Sequence, residues 1–420
     1  MRHGGIFQFA LILIIISVLI DWYVFNGLKT LLSDSGIRTR RIILISYILV
    51  SAVVVVMLLL TISKASKPPG MTPYHQWVLS IFLTLLVSKV VFILVLFLGD
   101  IYRLISGLTN TVRKTPNNNN GDYIPSRRKL VSQAAVVLAA IPFTSFLYAM
   151  LKGKYDYKVH RHTLYFDDLP EAFDGFTITQ LSDVHSGSFD NAEAVQRGID
   201  LAKAQKSDLF VFTGDIVNNI ASEIEPYIGH FSQLKAPYGQ YSVLGNHDYG
   251  DYIEWNSPAD KEANLEKLKS HHKSLGYRLL LDENLPIEKD GQKIVLIGVQ
   301  NWGRGFIQVG DLDKALQGVS KNDFKVLLSH DPTHWEEKVR YHPAHVHLTL
   351  SGHTHGAQFG VETGSFRWSP VKYRYLDWAG LAKENGRYLY VNRGFGFLAF
   401  SGRLGIWPEI TVIELKRKRV

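Results

Sequence analysis

Five short blocks of this sequence carry residues that bind metals or move protons. They are Asp183-Val184-His185, Gly214-Asp215, Gly245-Asn246-His247-Asp248, a lone His330, and Gly352-His353-Thr354-His355. The last block is weak evidence by itself. Side chains two apart on a strand point the same way, so His353 and His355 can converge, but such pairs also arise by chance. Together the blocks make a stronger case. Each presents a carboxylate, an amide or an imidazole, and most stand beside a glycine that permits a tight turn. This donor set, without thiolate, suits Mn, Fe or Zn. The chain has no cysteine, which excludes disulfides, cysteine metal sites and thiol nucleophiles.

The elements needed to position these blocks are legible. Each block closes an apolar run rich in β-branched residues: FTITQLSD (176–183), DLFVFTGD (208–215), QYSVLGNHD (240–248), FKVLLSHD (324–331) and VHLTLSGH (346–353). KIVLIGVQ (293–300), RYLYVNRG (387–394) and EITVIEL (409–415) read as further strands. Residues 191–206, 259–276 and 311–318 read as helices, and the alternation predicts an α/β sandwich with a central sheet. Ligands in such folds collect beyond the carboxyl ends of strands, where all five blocks fall.

In this order, D-x-H, G-D, G-N-H-D, H and G-H-x-H resemble the motifs of the calcineurin-like metallophosphoesterases over residues 155–415. The endings NRGFG (392–396) and PEITVIEL (408–415) are similar to those of the membrane-associated bacterial phosphodiesterases in that family. The resemblance implies a β-sandwich flanked by helices, with two divalent metal ions, and a phosphodiesterase or phosphatase activity. It implies that Asp183, His185 and His355 hold the first metal and that Asp215 bridges the pair. Asn246, His330 and His353 complete the second site. His247 protonates the leaving oxygen or stabilises the transition state, Asp248 holds its ring, and Arg393 is a further candidate for the phosphate. Two such ions activate a water and clamp phosphoryl oxygens.

The first 151 residues differ in kind. Four apolar segments, about 6–25, 42–62, 77–99 and 130–151, approach or exceed the roughly 20 residues that cross a bilayer. Expected, then, are a four-helix transmembrane region over 1–151 and a phosphoesterase domain over 155–420. Lys29, Arg38, Arg40 and Arg41 lie between segments one and two. Arg103, Arg113, Lys114, Arg127, Arg128 and Lys129 lie between three and four. This bias puts both connections in the cytoplasm and the catalytic domain outside. SRRKLV (126–131), after the polar linker PNNNNGDYIP, reads as a twin-arginine signal or as a basic membrane flank. The net charge of +8 is explained by such flanks and the terminal KRKR, so no nucleic-acid partner is expected.

Other residues have plainer readings. His334, His342, His345 and His347 fit no block and are expected at the surface or in linkers, and His271-His272 at a solvated helix end. GVQNWGRGF (298–306) is expected to line the substrate cleft through Asn301, Trp302 and Arg304. Lys89 lies inside the third segment without an evident partner. The leading expectation is a membrane-anchored phosphoesterase acting on a phosphodiester or pyrophosphate bond of a lipid-linked substrate. The alternative is a catalytically inactive membrane sensor or scaffold that keeps the fold.

Overall fold

The computed structural model describes residues 3–64, 67–112, 123–364 and 366–418. Arg2, Arg113, Lys114, Arg419 and most of the polar linker lie outside them. The chain divides into two compact units, one of 1–64 with 77–148 and one of 65–76 with 149–420. Residues 65–76 thus group with the second unit, although residues of the first unit flank them in sequence.

The first unit is built on α1 (His3–Leu31), α2 (Ile37–Lys64), α3 (Pro73–Val112) and α4 (Tyr123–Leu151). All four are long and apolar enough to span a membrane. Their outward residues are apolar as well: Ile12, Val50, Leu98 and Val137 are 56–66% exposed, which suits lipid rather than water. Val24, Phe92, Leu96 and Ala135 close the interior. Lys89 has a partner after all. Asp21, which the sequence places near the end of the first segment, lies ten residues before the end of α1 and accepts Lys89 Nζ at 2.6 Å. Tyr47 and Ser51 of α2 donate to the same carboxylate at 2.5 Å each.

The second unit is a four-layer sandwich. One sheet runs β1 (Lys158–Phe166), β14 (Glu409–Arg417), β2 (Phe176–Leu181), β3 (Leu209–Phe212), β4 (Gln240–Ser242), β5 (Arg278–Leu279). The other runs β12 (Gly380–Glu384), β13 (Arg387–Val391), β9 (Leu348–Ser351), β8 (Lys325–Leu328), β7 (Gln292–Gly298), β6 (Glu283–Lys289). A hairpin, β10 (Val361–Thr363) and β11 (Phe366–Trp368), stands apart. The single central sheet read from the alternation is therefore two sheets, because the β–α units are shared between them.

Strand periodicity explains the layers. In β3, Leu209 and Val211 point into the core between the sheets, with Val326 and Leu328 of β8. Phe210 and Phe212 point outward, onto α5 (Ala192–Lys203), α6 (Ile228–Phe231) and α7 (Pro258–Leu275). On the opposite face Leu327 of β8 meets α8 (Leu312–Ala315) and α9 (Pro332–Glu337). Inner strands buried on both faces carry continuous apolar runs, as observed.

Several histidines are buried where the surface was expected. His334 is fully buried against Ser329 (2.8 Å), and His347 bonds Asp168 (2.8 Å). His272 is fully buried and meets Ser242 at 2.9 Å, because the last turn of α7 lies against the sheet. Each has a local polar partner, which is how a neutral imidazole is tolerated in a core.

Candidate metal centre and active site

The candidate ligands collect where the two sheets present their carboxyl ends. Asp183 and His185 follow β2, Asp215 follows β3 and Asn246 follows β4, three adjacent parallel strands. His330 follows β8 and His353 and His355 follow β9, adjacent in the other sheet. Backbone bonds tie the tips together: Asp183 N–H donates to Gly214 (2.9 Å) and Gly352 N–H to His330 (2.8 Å). Between the sheets, His353 N–H donates to both carboxylate oxygens of Asp183, at 2.9 and 3.0 Å.

The backbone here is strained. Asp183, His185, Asp215, His353 and His355 all have left-handed φ, between 48° and 74°. Each such residue costs roughly 1–3 kcal/mol, a cost that clusters at functional sites. Two glycines are fixed by close approach. A Cβ on Gly245 would lie 2.3 Å from Asp215 Oδ1, and one on Gly352 would lie 2.2 Å from Asp183 Oδ2.

Two groups of donors result. The ligand atoms of Asp183, His185 and His355 lie within 4.8 Å of one another, as do those of Asp215, His330 and His353. Asp215 Oδ2 stands 3.1 Å from His330 Nε2 and 3.7 Å from His185 Nε2, so one carboxylate oxygen faces both groups. Asn246 Oδ1 lies 2.8 Å from His353 Nδ1 and 3.1 Å from His330 Nε2. All seven residues selected from the sequence thus come together in one place.

This arrangement fits a cation. His185 Nε2 is buried without a hydrogen-bond partner, whereas His355 accepts from Arg403 Nη2 at Nδ1 (3.0 Å) and turns Nε2 towards Asp183 Oδ1 (3.3 Å). His185 Nδ1 lies 3.2 Å from Asn218 Oδ1, so it carries the proton and leaves the lone pair on Nε2. A buried polar atom left unpaired costs roughly 1–3 kcal/mol, which a bound cation would relieve. Burial holds the rings neutral: it lowers His185 to about 3, His353 to about 4, and His355 well below the usual range. His330 goes the other way. Burial would lower it, but the adjacent Asp215 carboxylate outweighs burial and raises it to about 10. A cation taken up there must displace a proton from that ring.

His247 sits beside the first group, its ring centroid 4.9 Å from that of His185. Its backbone N–H donates to Asp215 Oδ1 (2.8 Å), and its Nδ1 meets the Asn218 carbonyl at 2.8 Å. The expectation that Asp248 holds this ring is corrected. The Asp248 carboxylate instead accepts the backbone N–H groups of Gly245, Asp215 and Ile216 at 2.9 Å, and of Val217 at 3.4 Å. Consecutive residues in a tight turn do not face each other. Asp248 therefore braces the two loops that carry Asp215 and Asn246.

Arg393 is corrected too. It is buried and held by Glu362 (2.7 Å) and Glu409 (2.6 Å), so it is not a free phosphate-binding group. In 298–306, Asn301 is buried and bonds the Ile307 carbonyl, Trp302 packs on His334, and Arg304 pairs with Glu336 and Glu337. Phe306 is the residue of that loop beside the site, 4.7 Å from the His353 ring.

The sequence blocks missed a supporting layer. Asn218 meets His185 with its side chain and His247 with its carbonyl. Tyr375 Oη lies 2.8 Å from His353 Nε2, with Asp331 Oδ2 at 3.4 Å, and Tyr252 Oη accepts from Asn246 Nδ2 at 2.6 Å. Asp331 directly follows His330, a signal that was available. Tyr375 and Tyr252 come from loops with no such signal.

Residues 6–154 match the transmembrane-domain family of calcineurin-like phosphoesterases, and residues 176–357 match the calcineurin-like phosphoesterase family. The metallophosphoesterase YkuE of Bacillus subtilis (strain 168) is 30% identical over 298 residues, covering 69% of this chain and 98% of that protein. The phosphodiesterase YaeI of Escherichia coli (strain K12) is 27% identical over 295 residues, covering 69% and 99%. A transmembrane protein with metallophosphoesterase domain from Danio rerio is 27% identical over 260 residues, covering 60% and 55%. With its motifs on two adjacent donor groups and four membrane-length helices before them, the chain belongs to the calcineurin-like metallophosphoesterase family, among those members that carry a transmembrane domain.

Proposed function

We propose that this membrane metallophosphoesterase uses a dinuclear centre of Mn, Fe or Zn to hydrolyse a phosphodiester or pyrophosphate bond. The observation that carries the reading is the Asp215 carboxylate oxygen that faces both donor groups. Asp183, His185 and His355 would hold one ion, Asn246, His330 and His353 the other, with Asp215 between them. Two ions so held supply positive charge for the phosphoryl oxygens and acidify a water for in-line attack. The Asn218 carbonyl accepts from His247 Nδ1–H, and burial favours the neutral ring, so Nε2 is the lone pair that would take a proton from the attacking water and hand it to the leaving oxygen.

The test uses the full chain in detergent micelles with bis-p-nitrophenyl phosphate. Hydrolysis with Mn²⁺ that is lost to a chelator and to Asp215→Asn is the expected result. No turnover under any metal load would favour the inactive sensor or scaffold.

Two finer points belong to the same proposal. The lysine and arginine bias places the α1–α2 and α3–α4 connections in the cytoplasm, hence the catalytic unit outside. The inclusion of 65–76, between α2 and α3, in the catalytic unit supports that reading, because both then share one side. A membrane anchor further favours a lipid-linked substrate, which the bilayer concentrates near the site. A C-terminal alkaline phosphatase fusion should be active, and fluorescence from a cytoplasm-only reporter would overturn the sidedness.

A further inference from the structure

The metal-site ligand His185 is reached by a polar chain that starts in the first turn of α3, at a residue grouped with the second unit. Gln76 is fully buried, and its Nε2 donates to Ser188 Oγ at 2.7 Å. Ser188 Oγ faces both ends of the Asn218 amide, accepting from Nδ2 at 3.1 Å and donating to Oδ1 at a longer 3.3 Å. The other end of that amide, Asn218 Oδ1, lies 3.2 Å from His185 Nδ1. Nearby, a Cβ on Gly70 would lie 3.1 Å from Ile253 Cγ2 and 3.6 Å from Asn219 Nδ2. Gly70 and Gln76 thus pack within their own unit at two points, both next to the segment that carries Asn218.

We propose that Gln76 is a positioning residue for the first metal site, acting through Ser188 and Asn218 on the orientation of the His185 ring. Asn218 is the joint. Its amide can turn over, and only one orientation presents an oxygen to His185 Nδ1 and a donor to Ser188. Gln76 fixes Ser188 Oγ as the acceptor for that donor. The amide so held keeps the His185 proton on Nδ1 and the lone pair on Nε2, which is the buried, unpartnered atom. Outer partners of this kind tune metal affinity by 10–100-fold. Gln76 stands two partners further out, so an effect of about tenfold is expected. The consequence is that a segment framed by membrane helices completes the metal site, and a soluble domain begun after α4 would lack it.

This inference rests on the metal-binding reading above. The experiment uses the full chain in detergent micelles and measures Mn²⁺ binding by equilibrium dialysis, with thermal unfolding in chelator as the control on folding. Gln76→Leu removes the donor, and about tenfold weaker binding at one of two sites is expected, with metal-free unfolding unchanged. Gln76→Glu, which can accept a proton from Ser188 and keep the link, should recover most of the affinity. Ser188→Ala should weaken the same site, and the double variant should be no worse than the single ones, since both cut one chain. Ser188→Ala also decides the matter should Gln76→Leu fail to fold. Affinities within twofold of the parent chain, or equal weakening of both sites, overturn the inference alone. A parent chain that binds no Mn²⁺ overturns the proposed function and this inference together.

Discussion

The molecule buries polar groups in two places and treats them in opposite ways. In the four-helix unit, Asp21 accepts from Tyr47, Ser51 and Lys89, and Lys89 also donates to Ser51 at 2.6 Å. Around Asp21 the donors and the carboxylate satisfy one another. In the phosphoesterase unit, the Nε2 lone pair of His185 points at no donor, and five left-handed residues hold the arrangement in place. A closed network of this kind is what helix packing in lipid requires. Convergent lone pairs on strained backbone have no such structural use, and a cation accounts for them. Convergence of several donors on one point therefore marks the site, since single unpartnered Nε2 atoms also occur on His272 and His334 outside it.

The largest expected effects break the two regions in different ways. Asp215→Asn removes the carboxylate between the donor groups, so turnover should fall by more than the roughly hundredfold upper range for outer-layer changes. Asp21→Asn should do the reverse. It leaves the Lys89 ammonium without its carboxylate inside the membrane, at about 2.5–3.5 kcal/mol on insertion scales, while turnover per folded molecule stays unchanged. Parallel unfolding and kinetic measurements check both. Turnover lost in Asp21→Asn at full folding would mean that the clamp takes part in the chemistry.

Next come the two histidines that opened the question of a metal site. His353 is grouped with Asp215 and His330, and His355 with Asp183 and His185. His353→Ala and His355→Ala should each reduce bound Mn²⁺ from two ions towards one, by elemental analysis after dialysis. Electron paramagnetic resonance should show the Mn–Mn coupling lost in both. Loss of both ions together in either variant would mean that the donors form a single site.

What the sequence disclosed, and what it did not, follows from the physics of each element. The ligand blocks were legible because strand tips in α/β folds carry ligands and glycines mark the turns, so Asp183, Asp215 and Gly352 declare themselves. The two-sheet arrangement was not legible from periodicity, since β7, β8 and β9 read like β2, β3 and β4 and nothing local says which sheet a strand joins. The family resemblance supplied that. The partners of the ligands were hidden for another reason. Tyr375 reaches His353 from 22 positions away, and Gln76 reaches Ser188 from 112 away. Contacts of this range depend on tertiary packing. Lys89 looked alone because its partner Asp21 is two helices away in sequence.

Smaller effects sharpen the distinction between ligands and their supports. Tyr375→Phe removes only the hydroxyl at His353 Nε2. Its loss should weaken Mn²⁺ binding at the second site by about tenfold, the lower end for a partner of a metal-bound imidazole, with metal-free unfolding little changed. Calorimetric titration of the two sites checks this. An unchanged affinity would leave Asp331, at 3.4 Å, as the group that fixes the ring.

The last contrast is between the site imidazoles and one buried for structure alone. Burial lowers His272 to about 3, while the unfolded chain titrates near 6.5. The unfolded state therefore takes up the proton first as pH falls. Stability from this residue is complete above about pH 6.5 and declines towards pH 3, by an amount on the order of a few kcal/mol. His272→Asn should lower stability at pH 7 through lost packing, yet flatten the slope between pH 6.5 and 4 in chelator-treated protein. Metal binding should be untouched, since this imidazole has Ser242 for a partner and lies outside both donor groups. A slope identical to that of the parent chain would assign the acid sensitivity to His334 and His347, which burial lowers to about 4.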